Sequence, residues 1–147
     1  MSNRLTKGTA LVGRVKQRYA YATPKVAKVA LSPGAKDAFA FAWQNPESTP
    51  IMVTRVLVDI TTAGGTATAV LDIGTAADAE TGSDNLIDGL DANTTGLADN
   101  ITDGGTNGKS RQRLDAKDGA IAYITGQIVT EKAEDLAGNV YIEYILV

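Results

Sequence analysis

Apolar and polar positions alternate with period two through much of this chain, and that spacing predicts strands. In Ala38 to Trp43, Phe39, Phe41 and Trp43 fall on one face and Ala38, Ala40 and Ala42 on the other. The aromatic face predicts core, and the alanine face a surface for close approach by another sheet or subunit. Ile51 to Ile60 places Met52, Val56, Val58 and Ile60 opposite Arg55 and Asp59, the pattern of a half-buried strand. The turn Ala63-Gly64-Gly65-Thr66 then supplies positive-φ positions, and Ala67, Ala69, Leu71 and Ile73 alternate with Thr66, Thr68 and Asp72. Together they predict a hairpin.

Shorter strands are predicted at Asn85 to Leu90 and Arg111 to Leu114, and longer ones at Ala120 to Thr130 and Asn139 to Val147. The last run, with Val140, Tyr141, Ile142, Tyr144 and Ile145, belongs inside a sheet, because a free edge of that kind aggregates. No segment carries a capped stripe of period 3.6; one helical turn is expected at most at Ala76 to Glu80 and at Thr130 to Leu136. Seven or eight short strands separated by Gly, Asp, Asn and Thr predict an all-β fold, a β-sandwich or barrel, with a jelly roll as the preferred form.

Composition narrows the chemistry. The chain has 147 residues, 44% hydrophobic and 21% charged, enough for one domain with a core of its own. It has neither Cys nor His. Disulfides, thiolate nucleophiles, Ser-His-Asp triads and His-ligated metal sites are therefore excluded. No apolar run reaches the length of a membrane span, and Leu5 to Val15 is interrupted by Lys7, Gly8, Gly13 and Arg14, so neither a transmembrane segment nor a signal peptide is expected.

Charge divides the chain in two. Residues 1 to 32 hold Arg4, Lys7, Arg14, Lys16, Arg18, Lys25 and Lys28 and not one acid, so the remainder carries 7 of the 14 cations and all 17 acids. We therefore expect a basic N-terminal arm, residues 1 to 32, joined to an acidic β-sandwich domain, residues 33 to 147. Extended, Arg14 to Tyr21 puts Arg14, Lys16 and Arg18 on one side and Val15, Tyr19 and Tyr21 on the other. Three readings compete for the arm: an anchor on an acidic partner or neighbouring copy, a nucleic-acid tail, and an ordinary first strand. The anchor reading uses both charges. Nucleic acid is disfavoured because the acidic body would repel it.

Two further patterns invite a site. Asp103-Gly104-Gly105-Thr106-Asn107-Gly108-Lys109-Ser110 resembles a phosphate-binding loop but lacks Gly at the required position and precedes a strand, so a plain glycine-rich turn is expected. The aspartates between Asp72 and Asp103 offer hard oxygen ligands, yet their spacing matches no calcium loop, and Asx-turns are the plainer expectation. Few aromatics are available for sugar stacking. No catalytic residue, metal or cofactor is assigned.

The run Val56 to Thr62, the stretch from Ala67 through the aspartate-rich Thr75 to Asp91, Asn107 to Arg111 and Tyr141 to Tyr144 resemble small phage proteins encoded among head genes. Some of these are jelly-roll decoration, or cement, proteins that form trimers on the outer capsid surface. The resemblance implies a structural protein without catalysis, located on the outside of a virion, with the major capsid protein and its own copies as partners. The other reading is a carbohydrate- or receptor-binding β-sandwich of a phage fibre. On the first reading the arm residues hold capsid or neighbour, and Ala38, Ala40 and Ala42 are the candidate subunit interface.

Overall fold

The computed structural model describes residues 23–65 and 68–147. Among them are nine strands and no helix: β1 Lys25–Leu31, β2 Phe39–Gln44, β3 Ile51–Thr62, β4 Val70–Ala76, β5 Ile87–Asp91, β6 Gly96–Asp99, β7 Gln112–Leu114, β8 Tyr123–Val129 and β9 Ala137–Leu146. Both segments named above as single helical turns are irregular instead.

The strands form two antiparallel sheets, ordered β1-β9-β3-β6, with β7 also on β3, and β2-β8-β4-β5. The pairing is nested: β1 lies on β9, β2 on β8, β3 on β6 and β4 on β5. A long hairpin rolled onto itself produces this order, which makes the sandwich a jelly roll. Ile51, Val56, Val58, Val140 and Ile142 from the first sheet meet Leu71, Ile73, Ile124 and Ile128 from the second, all with no measurable exposure.

The predicted β3–β4 hairpin does not form. β3 pairs with β6, β7 and β9, whereas β4 pairs with β5 and β8, so the turn at Gly64 and Gly65 carries the chain from one sheet to the other. Gly65 does take positive φ, 89°, and the Gly64 amide donates to the Ala92 carbonyl at 2.8 Å. A local turn signal states that the chain reverses; β9, which engages nearly all of β3, decides which sheet receives it.

Bulges reset two faces. β3 shifts register between Val53 and Arg55, so the buried set changes from Ile51 and Val53 to Val56, Val58 and Ile60, and Met52 leaves the expected face. In β2 the shift falls between Phe39 and Phe41. Phe41 and Trp43 turn inward while Phe39 sits opposite Gln127 on the outer side. The Phe41 ring lies on Gly126, where a Cβ would collide with it, so only glycine lets β2 and β8 hold that ring between them.

Candidate functional site

The candidate functional surfaces are the outer faces and the free edges of the sandwich. Cross-strand register puts Val26, Glu143 and Arg55 in one row of the outer face of the first sheet, and Lys28, Tyr141 and Leu57 in the next. A groove of about 240 Å³ opens between these rows. Arg55 Nη2 donates to Asp99 Oδ2 at 2.7 Å, Thr54 Oγ1 donates to Glu143 Oε1 at 2.8 Å, and Lys28 Nζ stands 5.9 Å from the centre of the Tyr141 ring. Arg55 is thus ion-paired, whereas Glu143 is held by a hydroxyl and Lys28 stands over a ring.

Of the residues read as the arm, Lys25 and Lys28 lie in β1, paired along its whole length with β9. Arg4, Lys7, Arg14, Lys16 and Arg18 lie outside the described residues. Lys25 Nζ is 2.6 Å from Glu47 Oε1, which also accepts from the Tyr144 hydroxyl at 3.1 Å. The Lys25 hydrogen bond lowers the Glu47 carboxyl, while burial, helped by Glu47, pushes the Tyr144 phenol up to about 12. Tyr144 also packs on Trp43 of the opposite sheet, centroids 5.5 Å apart. This chain of contacts fixes the start of β1 against β9 and the opposite sheet.

Ala38, Ala40 and Ala42 do not share a face. Ala40 is buried in the core, Ala38 is half-buried just before β2, and Ala42 is exposed opposite Thr125. The bulge in β2 separates them, because one extra residue inverts the alternation. Much of this outer face is instead covered by the β4–β5 connection: Thr125 Oγ1 donates to the Thr81 carbonyl at 2.7 Å, Ser83 fills the space beside Gly74, and Gln127 the space beside Gly82.

The aspartates serve the backbone. Asp78 accepts from the Glu80 amide, Asp91 from the Asn93 amide, and Asp99 from the amides of Ile101 and Thr102, the two-residue reach of an Asx-turn. The Thr102 amide, with Arg55 and the Ile101 amide, brings Asp99 down to about 2 against the cost of burial. Asp72 is shifted the other way, first by burial and then by Asp88 and Asp84. Among the described residues no three His, Cys, Asp or Glu side chains are placed to hold a metal ion. The segment from Asp103 to Ser110 is a turn braced on β5: Asp88 receives the Asn107 amide, and Gly105, at φ 68°, leaves no room for a Cβ against the Asp88 carbonyl.

At the edge opposite β1, β5 and β6 each have one neighbour among the described residues. A cleft of about 240 Å³ lies between them, floored by Ile60, Leu90, Leu97 and Ala98 and flanked by Asp91 and Asp103. Leu97 is 70% exposed. Residues 56 to 108, which build this side, contain nine acids and no Lys or Arg. Alternation alone does not reveal this edge: Gly96–Asp99 is too short and polar to read as a strand.

No family model matches the chain, and no curated protein matches it. Among solved structures it is similar to a chain of the capsid asymmetric unit of cyanophage Pam1, with 20% identity over 85% of this chain and 84% of that one, TM-score 0.46. A chain of the acid-stable capsid of Helicobacter pylori bacteriophage KHP30 is 14% identical over 86% and 90%, TM-score 0.46. VP2 of infectious bursal disease virus is 16% identical over 84% of this chain and 33% of its own length, TM-score 0.40.

Proposed function

We propose that this chain is a structural component of a phage capsid, and more narrowly a decoration or cement protein that binds the outer surface of the head and ties capsomers together. The observation that carries the reading is a jelly roll whose polar side chains are spent on turns and paired charges, preceded by a basic segment and strongly acidic on one side. Jelly rolls recur in viral capsid and lectin domains. The second of these classes needs a sugar platform, but Trp43 is spent on Tyr144 inside the sandwich and Phe41 on Gly126. The sequence resemblance to small phage head proteins supplies the setting.

On this reading no bond is made or broken. The body supplies a rigid wedge that sits on the major capsid protein, residues 1–22 anchor it to the capsid or to a neighbouring copy, and a homotrimer multiplies three weak contacts through effective concentration. The first described strand, β1, begins at Lys25, so removing residues 2–22 leaves all nine described strands whole. Heads assembled without this protein should bind the full chain and fail to bind the chain lacking residues 2–22, with both showing the same β-sheet circular dichroism. Light scattering should give a trimer. Equal binding by the truncated chain would remove the anchoring role of the segment, and a strict monomer that fails to bind heads would overturn the reading.

A further inference from the structure

We infer that the cleft between β5 and β6 receives the basic N-terminal segment of a second copy of this chain, so that copies join head to tail. This rests on the assembly reading above and names a partner surface for it.

The two edges of the sandwich are opposite in charge. On the β1 and β2 side Glu47 pairs with Lys25 and Asp37 adjoins Lys36, so the excess of cations comes from Lys28 and from the sequence of residues 1–22, with Arg4, Lys7, Arg14, Lys16 and Arg18 and no acid. The far side offers Asp88, Asp91, Asp99 and Asp103, and among the described residues only Asp99 of these has a cationic partner, Arg55. Its apolar floor matches the other face of the same segment, since Val15, Tyr19 and Tyr21 alternate with Arg14, Lys16 and Arg18. An extended strand laid there would set the apolar side chains on Leu90 and Leu97 and the cations beside the aspartates.

The backbone of β6 is open to such a strand. The Asp99 amide donates to Asp103 Oδ2 at 2.9 Å, away from β3, whereas the Asn100 amide donates back to the Val56 carbonyl. Alternation therefore turns the N–H and C=O of Leu97 outward at the free edge, which is the requirement for adding a strand. The donor is another copy rather than the same one. A returning segment would have to cross the outer face past Lys28 and Arg55, whereas copies set edge to edge bring the basic side of one against the acidic side of the next. A heterologous contact of this kind gives a ring, such as a trimer, where the rotation between copies closes, and an open filament where it does not.

The absence of cysteine makes a clean test. Chains carrying Val15→Cys and chains carrying Leu97→Cys are mixed at low salt under mild oxidation, without heads, and read on a non-reducing gel. A mixed disulfide dimer is expected. It should fall at least about five-fold in about 1 M NaCl, where the Debye length is about 3 Å, and similarly when Thr95→Lys is added to the acceptor chain. Val147→Cys, exposed but distant from the cleft, is the control acceptor. No mixed dimer, trapping equal to the Val147→Cys control, or trapping indifferent to salt would each overturn the inference. Head binding by the wild-type chain is measured separately, so loss of the mixed dimer with head binding intact removes this contact and leaves the capsid reading standing.

Discussion

Replacing Asp99 with Asn isolates the charge that organises the β6–β7 connection. The carboxylate accepts from the Ile101 amide at 2.9 Å, the Thr102 amide at 2.8 Å and the Thr102 hydroxyl at 3.1 Å, and it meets Arg55 at 2.7 Å. Its side chain is 12% exposed. Asn keeps one oxygen for the amides and loses the negative charge. The pKa falls from 3.8 to about 2 on folding. At about 1.36 kcal/mol per unit this bounds the contribution of the charge near 2 kcal/mol, and partial screening of Arg55 by solvent brings it to about 1–2 kcal/mol. Because the folded value is the lower one, this stability is fully present above the unfolded value near 4 and is lost as pH falls through about 2. Urea unfolding at pH 7 should therefore show Asp99→Asn less stable by about 1–2 kcal/mol with an unchanged slope, and at pH 3 the gap should shrink by about half, because the unfolded wild-type chain takes up a proton there that the folded carboxylate does not. A gap of the same size at both pH values would refute the argument, since it would place the loss in geometry rather than charge.

Three further outcomes follow from the packing. Gly126→Ala drives a methyl into the Phe41 ring and should cost about 1–3 kcal/mol in urea unfolding, partly recovered by adding Phe41→Leu. Ile142→Ala, fully buried on β9 between β1 and β3, should cost about 2–5 kcal/mol in the same assay. In a spectrophotometric titration a tyrosine step should appear near pH 12, and Tyr144→Phe should remove it.

The amino-acid sequence alone determined the all-β class and most strand positions and narrowed the architecture to a sandwich or barrel, because a period of two and glycine-rich breaks are local properties of a chain. It also excluded His and Cys chemistry, and its expectation of Asx-turns matches what Asp78, Asp91 and Asp99 do. Tertiary structure decided what no local pattern encodes. β9 claims β3, so the Gly64-Gly65 turn joins two sheets instead of closing a hairpin. One inserted residue in β2 sends Ala40 inward and leaves Ala42 outside, and dissolves the alanine face. The stretch read as an arm up to residue 32 ends in β1, whose pairing with β9 spends Lys25 and Lys28 on the sandwich. The acidic cleft belongs to the same class: Leu90 and Leu97 lie on strands of different sheets. Their meeting depends on how the hairpin rolls, a matter of long-range pairing rather than of neighbours in sequence.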